Sequence, residues 1–540
     1  MTEGAQATEL RGGVAVPRAL AGRWFLGGVA AIATATLAFL LLQLMAWPPH
    51  EDETLALFVG RHPLDGLLQV VLDERGGAPL HFLLAWVIVH LGLGLEGLRL
   101  LSALLAVASL PLVALLGARL AGRLPGLVAA AVAAPSWVLL FHGVYGRMYS
   151  LFLFTSLLSY LALLAALRRG DARGWSLWAL AILATIASHP YGALVLGSQG
   201  LFVLVARRDR LRQALVATAV VVAAGIPFWL TNLVLASRFD VGVGGGGAKL
   251  GSPLPVAQYL WRVLGDVTAG WWPVTLAALV LLVAGALRLR RETLLLAACV
   301  LAVPTAAFLV ARLGRSASPE TRHLIFALPF LALALAVGLL RLRRLAPVAL
   351  AALAVSQVAW AWERTPALFE GEPEERREAR AEASAFLAAT SRPDDVLFGY
   401  EPLFLGAWER NPDFPLPVLP RADAALALTV LERLPRPLGR GVWILDASKP
   451  NNIYPSLEIR WRSPQPAFAF EVTRFGPFLV IRTTHPTVTP ERYLKRAGQA
   501  LLVGKALWIG DADVNLLTVE RAARELRGYG APRSLSTSSR

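Results

Sequence analysis

The chain reads as a mainly α, polytopic membrane protein of about eleven spanning helices followed by an outer C-terminal α/β domain. Three observations predict this. First, 56% of the 540 residues are hydrophobic, only 16% are charged, and the mean hydropathy is +0.55. Soluble domains sit near ~45–50% apolar and ~25% charged. Second, runs of the ~20 apolar residues a spanning helix needs recur along the chain. They fall near 24–46, 97–118, 124–142, 150–167, 173–189, 191–206, 212–236, 272–290, 293–312, 322–341 and 345–361. Third, the arginines cluster in every second connection between those runs: Arg119/Arg123, Arg168/Arg169/Arg173, Arg207/Arg208/Arg210/Arg212, Arg288/Arg290/Arg291 and Arg341/Arg343/Arg344. The positive-inside rule makes those connections cytoplasmic.

The net charge of +15 is therefore loop charge, and a nucleic-acid partner is not expected. Arg11, Arg18 and Arg23 precede a first run too long for a signal-peptide core, so residues 1–23 read as a cytoplasmic tail before an uncleaved anchor. Residues 24–362 then form the membrane domain, with a first outer loop over 47–96 opened by Trp47-Pro48-Pro49. Within that loop, 79–94 is apolar but short, carries His81 and His90, and ends in Gly92 and Gly94. If it crossed, every later arginine cluster would land outside, so it reads as a re-entrant or interfacial helix. Further outer connections cover 142–149, the tip Ser188-His189-Pro190-Tyr191, 237–271 with its run Gly244–Gly247, and 313–322. Trp271-Trp272-Pro273 is an interfacial anchor.

From about 363 the composition turns polar. Glu372 through Glu382 reads as a solvated helix, and the stretches around VLFGY, GVWILDAS and FGPFLVIRTT read as strands. An odd number of spans places this 363–540 domain outside, with the acidic first loop. The single Cys299 sits in an apolar run, which leaves no intrachain disulfide and no thiolate metal site.

All eight histidines (His50, His62, His81, His90, His142, His189, His323 and His485) map to the outer half. Titratable groups gathered at one face are what an active site there requires. Five motifs lie on that face, each with a plainer alternative. Asp52-Glu53-Thr54 supplies carboxylates that could act as general base or divalent-metal ligands, or simply cap the segment TLALFVG. Glu74-Arg75-Gly76-Gly77-Ala78-Pro79 could grip a phosphate, or be a turn before a helix. His142-Gly143-Val144-Tyr145-Gly146-Arg147-Met148-Tyr149 places one arginine in an otherwise uncharged loop, as a phosphate ligand or a snorkelling anchor. His189-Pro190-Tyr191 is a hydrogen-bonding tip or a bland turn, and Glu320-Thr321-Arg322-His323 adds another cation or another anchor.

Together these residues resemble the GT-C class of integral-membrane glycosyltransferases, in particular the bacterial branch of the dolichyl-phosphate-mannose–protein mannosyltransferase superfamily, which includes aminoarabinose transferases. Asp52-Glu53, Glu74-Arg75 with Pro79-Leu80, Leu98-Arg99-Leu100-Leu101-Ser102, Arg147-Met148-Tyr149-Ser150, Ser188-His189-Pro190-Tyr191-Gly192 and Arg322-His323-Leu324 with Pro329 carry the likeness over most of 24–341. The resemblance implies inverting transfer of a sugar, mannosyl or a related hexosyl, from a polyprenyl-phosphate donor. The acceptor would be a lipid, glycan or protein outside the cytoplasmic membrane.

Under it Asp52, with Glu53 beside it, is the catalytic group that deprotonates the acceptor. Arg147 holds the donor phosphate, with Glu74, Arg75, His142, Tyr149, His189, Tyr191, Arg322 and His323 completing the donor-phosphate and sugar site. Relatives often carry an acid two positions before the matching arginine, where this chain has Tyr145. A divalent metal is therefore less expected, although Asp52 with nearby histidines leaves it open. No other cofactor is implied, and neither a P-loop nor a G-x-G-x-x-G fingerprint is present. Glu401, Trp408 and Trp443 are candidate sugar contacts whose simpler reading is packing. A transporter or lipid flippase is the alternative function. Against it, nearly all charges lie at span ends and no internal repeat is evident.

Overall fold

The computed structural model describes residues 18–75, 77–238, 250–310, 320–420, 424–446, 470–483, 487, 489–506 and 519–526. Among them, six helices are long and apolar enough to cross a bilayer: Gly22–Leu42, Gly94–Ala121, Tyr149–Arg169, Arg291–Val310, Thr321–Leu340 and Arg343–Arg364. Three bent pairs raise the number to nine if each pair is one span. The expected count of about eleven spans is thus not confirmed among the described residues. Ala172–Ser188 and Gly192–Ala206 have 17 and 15 residues, about 25 and 22 Å at the rise of a helix, short of the hydrocarbon core.

The bends have local causes. Arg123–Ala133 and Trp137–Val144 meet at 60° across Pro135-Ser136, where proline lacks an N–H and the Ser136 hydroxyl donates to the Ala133 carbonyl at 2.6 Å. Arg208–Ala224 and Ile226–Leu233 meet at 61° across Gly225, with Pro227 just beyond. The segment 253–267, expected as loop, is instead a helix, Pro253–Val267, that meets Trp272–Ala286 at 93°. Its Val256, Tyr259, Val263 and Val267 recur at helical spacing and are buried, a pattern hidden in a stretch bracketed by glycine and proline. The tetraglycine run lies outside the described residues.

Close approach of small residues seats the central helix. A Cβ on Gly285 would overlap the Ala334 carbonyl, and one on Gly338 would overlap the Leu281 carbonyl. Trp272–Ala286 and Leu328–Leu340 therefore pack backbone to backbone, the small-residue contact typical of membrane helices.

The first outer loop folds into helices Glu51–Gly60, Leu64–Gln69 and Pro79–His90. The last has 12 residues, about 18 Å, too short to cross. It lies against Glu51–Gly60, where a Cβ on Gly60 would meet the Ala85 carbonyl at 3.0 Å.

Beyond the last long helix, five strands form one sheet: β1 Val396–Phe398, β2 Val418–Leu419, β3 Gly441–Asp446, β4 Phe470–Phe475 and β5 Phe478–Thr483. The order is β2-β1-β3-β5-β4, with β1 parallel to β2 and β3, and β5 antiparallel to β3 and β4. Three of the strands coincide with the apolar stretches read from sequence; Gly476, at φ +51°, makes the β4–β5 turn within the third. Trp443 is fully buried in this core against Phe398, at 4.4 Å between ring centroids. Phe58, from the helix Glu51–Gly60, inserts into the same domain beside Leu403 and Phe404. Arg61 donates to the Phe414 carbonyl at 2.8 Å and lies 4.5 Å over the Trp408 ring. The acidic helix is thereby tied to the sheet domain at its C-terminal end.

Candidate active site

The first spanning helix ends at Leu42, and after a turn and Trp47-Pro48-Pro49 the chain enters Glu51–Gly60. A reciprocal cap fixes that turn. The His50 Nδ1 accepts from the Asp52 N–H at 3.2 Å, and the Glu53 carboxylate accepts from the His50 N–H at 3.1 Å. Three acids, Glu51, Asp52 and Glu53, sit in the first turn, and of these Asp52 and Glu53 face opposite ways.

Glu53 points inward and is fully buried. Arg99 meets it through paired bonds, Nε to Oε1 at 2.8 Å and Nη2 to Oε2 at 2.7 Å. The Gly146 N–H adds a third at 2.8 Å. A Cβ at 146 would stand 3.1 Å from Oε1, so glycine lets this approach form without the carboxylate giving way. Arg99, 0% exposed, also donates to the carbonyls of Leu44, Trp47 and Pro48. Glu53, expected beside Asp52 in the chemistry, is instead sealed in the interior, where it anchors the membrane exit and the 145–147 loop.

Asp52 points outward, with 26% of its side chain exposed. The Tyr145 hydroxyl donates to its Oδ2 at 2.8 Å, and the Arg147 Nε lies 3.6 Å from the same oxygen, an ion pair without a hydrogen bond. Arg147 Nη1 donates to the Asp52 carbonyl at 3.2 Å. Oδ1 carries no hydrogen bond among the described residues. Burial pushes the carboxyl upward, but the charges of Arg147, His50 and Arg322 and the Tyr145 bond outweigh it and hold Asp52 well below the usual carboxylate range. Tyr145 moves the other way: burial and the Asp52 charge push its phenol well above the usual value, so it stays a neutral donor.

Behind Arg147 the other candidate residues converge. Ring centroids are 4.7 Å apart for His142 and Tyr149, 5.6 Å for Tyr149 and His189, 5.4 Å for His189 and His323, and 4.9 Å for Tyr191 and His323. The Arg322 guanidinium lies 5.0 Å from the centre of the Tyr149 ring. The Tyr191 N–H donates to His189 Nδ1 at 3.0 Å, which leaves the His189 proton on Nε2. Burial, then His323, Arg147 and Arg322, hold His189 well below the usual imidazole range, so it is neutral.

Arg147 Nε, Arg322 Nε, His189 Nε2, both His142 nitrogens and His81 Nε2 are buried without a hydrogen-bond partner among the described residues. Buried donors in native proteins are almost always satisfied. Each neutral imidazole here offers a single N–H, and together with the Arg147 and Arg322 Nε–H groups these donors suit an acceptor-rich group such as a phosphate. Among the described residues, no three His, Cys, Asp or Glu side chains are grouped to hold a metal ion. At Asp52 the neighbouring positive charge is that of Arg147.

The structure thus brings Asp52, His142, Arg147, Tyr149, His189, Tyr191, Arg322 and His323 to one place. Glu74 and Arg75 end the short helix Val70–Arg75 on the same loop, and their side chains lie outside the description. His485 lies outside it too. Three participants were not among the expected site residues. Arg99 signals itself as a charge inside an apolar span, which demands a buried acid. Tyr145 registers in the sequence only as a missing carboxylate. His81, 3% exposed, is pushed down to about 3 by burial and by Arg147, against the pull of Asp52.

No family model matches the chain, and no curated protein matches it. The fold is shared with solved integral-membrane proteins. ArnT from Cupriavidus metallidurans, solved bound to undecaprenyl phosphate, matches with a TM-score of 0.54 and 15% identity, over 84% of this chain and 98% of that one. Its apo state matches at 0.53 and 14%, over 85% and 98%. The Archaeoglobus fulgidus oligosaccharyltransferase, solved with Zn and sulfate, matches at 0.49 and 12%, over 77% and 68%. At these identities the likeness is one of fold.

Proposed function

We propose that the protein is a membrane glycosyltransferase that moves a sugar from a polyprenyl-phosphate donor to an extracytoplasmic acceptor. The sugar is mannosyl or a related hexosyl, and the acceptor is a cell-envelope lipid, glycan or protein. The observation that carries this is the pairing of an open carboxylate, Asp52, with Arg147 at 3.6 Å, backed by buried donors that lack partners. The match to ArnT, a protein that binds undecaprenyl phosphate, supports a lipid-phosphate ligand.

In this reading the acceptor O–H meets Asp52 Oδ1, the oxygen that nothing else holds. Its oxygen bonds to the anomeric carbon as the proton passes to Asp52 and the bond from that carbon to the phosphate oxygen breaks on the opposite face. The configuration inverts. The departing phosphate gains charge beside Arg147 and Arg322 and within reach of the His189 Nε2–H, donors already in place and shielded from water. A carboxylate held this acidic is a weak base, so proton transfer comes late, when the attacking oxygen has already become acidic. Glu53 has a positioning role, and His142, Tyr149, Tyr191 and His323 wall the donor site.

Residues 24–362 form the catalytic membrane domain and 363–540 an outer domain that borders the acceptor path through Phe58 and Arg61. The N-terminus is cytoplasmic and the C-terminal domain extracytoplasmic. The test is mass spectrometry of envelope lipids, glycans and proteins from cells with and without the gene, followed by transfer from a synthetic polyprenyl-phosphate hexose by the purified chain. Loss of one glycoform with the gene, restored by wild type, supports the reading. No glycoform change, together with no transfer from any hexose donor, overturns it.

A further inference from the structure

The helix Pro253–Val267 belongs to none of the sequence motifs, yet it grips the turn that presents Arg322 and His323. Tyr259 and Asp266 stand seven residues apart, two turns, on one face of that helix. The Tyr259 hydroxyl donates to the Glu320 carbonyl at 3.0 Å. The Thr321 hydroxyl donates to Asp266 Oδ2 at 2.5 Å. Glu320 and Thr321 are the two residues directly before Arg322. Both gripping side chains are sealed, Tyr259 at 1% and Asp266 at 2% exposure.

The turn itself is preformed. The Glu320 N–H donates to His323 Nδ1 at 3.1 Å, the Glu320 side chain caps the His323 N–H in return, and Arg322 Nη2 donates to Glu320 Oε1 at 2.8 Å. What the turn lacks internally is a fixed place in the molecule, and the two outside bonds supply it. Asp266 also accepts from Arg364 Nη2 at 3.1 Å. That guanidinium lies 4.1 Å over the Trp137 ring, and Trp137 stacks on Phe141 beside His142. A buried carboxylate is expensive unless paired, and here the pair links the helix Pro253–Val267 to the 320–323 turn and to the helix Trp137–Val144.

We infer that Tyr259 and Asp266 are positioning residues that set Arg322 and His323 against the donor phosphate. Neither touches the donor; each acts through the backbone or hydroxyl of the neighbouring turn. The inference rests on the donor-phosphate reading above. It predicts a split in the kinetics, because only the half of the site that holds the lipid phosphate shifts when the grip is lost.

The experiment uses the full-length purified chain in detergent with a synthetic polyprenyl-phosphate hexose. Apparent KM for donor and for acceptor, inhibition by sugar-free undecaprenyl phosphate, and thermal unfolding are read for wild type, Tyr259→Phe, Asp266→Ala, Asp266→Asn and Thr321→Val. Tyr259→Phe removes one hydroxyl and Asp266→Asn keeps an acceptor for Thr321, so both are mild enough to fold. The expected result is a donor KM and an undecaprenyl-phosphate inhibition constant raised roughly tenfold or more in Asp266→Ala and several-fold in Tyr259→Phe, since small misplacements of a binding group carry large costs. Thr321→Val follows Asp266→Ala, Asp266→Asn recovers part of the loss, and acceptor KM stays within about twofold.

Unchanged donor KM and inhibition in Tyr259→Phe and Asp266→Ala overturn the inference. So does a loss that falls equally on donor and acceptor and tracks a drop in melting temperature, which is the mark of a merely structural pair. Wild type that neither binds undecaprenyl phosphate nor uses the donor is a separate outcome; it overturns the donor reading itself, and this inference with it.

Discussion

Two acid–arginine pairs sit one residue apart on the same helical turn, and they are built for opposite purposes. Glu53 and Arg99 are both fully buried, doubly bonded at 2.7 and 2.8 Å, with every remaining donor of Arg99 given to a carbonyl. Asp52 and Arg147 stand 3.6 Å apart, share no hydrogen bond between their side chains, and keep one carboxylate oxygen open and the guanidinium Nε–H unused. The sealed pair has nothing left to offer a ligand. The open pair has unspent capacity of both signs, which is what a reaction that moves a proton one way and a phosphate the other requires. Residue type alone does not separate them; the side of the helix turn each acid faces does.

The sharpest way to break this comparison is Asp52→Asn. Transfer should fall at least about a thousandfold, within the range for loss of a general base, while donor binding and melting temperature change little. A radiolabelled-sugar transfer assay beside a thermal melt reads both. Glu53→Gln should do the reverse. It strands the Arg99 charge in the interior at a cost of about 3–5 kcal/mol, seen as a large drop in melting temperature with activity lost in proportion to folded protein. Glu53→Leu with Arg99→Met should recover part of that cost. It should not recover all, because the Leu44, Trp47 and Pro48 carbonyls lose their donor.

Arg147→Ala comes next: donor affinity weakened roughly tenfold to a hundredfold, as expected for about 1.5–3 kcal/mol in a hydrogen bond to a charged group, with acceptor KM little altered in steady-state kinetics.

The smallest effect concerns pH. A carboxyl held below its ordinary value, near ~4, is ionised across the working range. Its contribution to stability is complete above that ordinary value and disappears as the pH falls through the lower folded one. The transfer profile should therefore show no acid limb from Asp52 above pH ~4.5. Tyr145→Phe removes one of the groups that lower Asp52, so it should move the limb upward by a fraction of a pH unit to about one. A pH–rate series on wild type and variant checks the sign.

The sequence reveals the membrane class and the convergence of the outer motifs for a physical reason: apolar runs and arginine clusters are local signals, and the bilayer enforces them. It is why Asp52, Arg147, His189 and Arg322, spread over 270 positions, could be assigned to one face. Other features depend on three-dimensional partners. Asp52 and Glu53 are adjacent carboxylates of the same charge, and nothing in the string says which one Arg99 will claim. Pro253–Val267 lies in a segment whose glycines and prolines mask a short amphipathic face, so its hold on Glu320 and Thr321 could not be seen. The count of about eleven crossings is not confirmed, because an apolar run records composition and not length of straight helix: with each bent pair as one span nine are long enough, and the runs 173–189 and 191–206 fold as the shorter helices Ala172–Ser188 and Gly192–Ala206. In the C-terminal domain β1, β3 and β5 were visible as apolar stretches, while β4, Phe470–Phe475, mixes polar and apolar residues and was not read as a strand, and Val418–Leu419 is two residues long and has no pattern to detect.

The most direct measurement is an electron cryo-microscopy map of the full chain with undecaprenyl phosphate bound. The account predicts the phosphate between Arg147, Arg322 and His189, with Asp52 Oδ1 facing the space left for a sugar and its acceptor. A phosphate seated at the opposite helix ends, among Arg119, Arg123 and Arg168, with the Arg147 pocket empty, would contradict it.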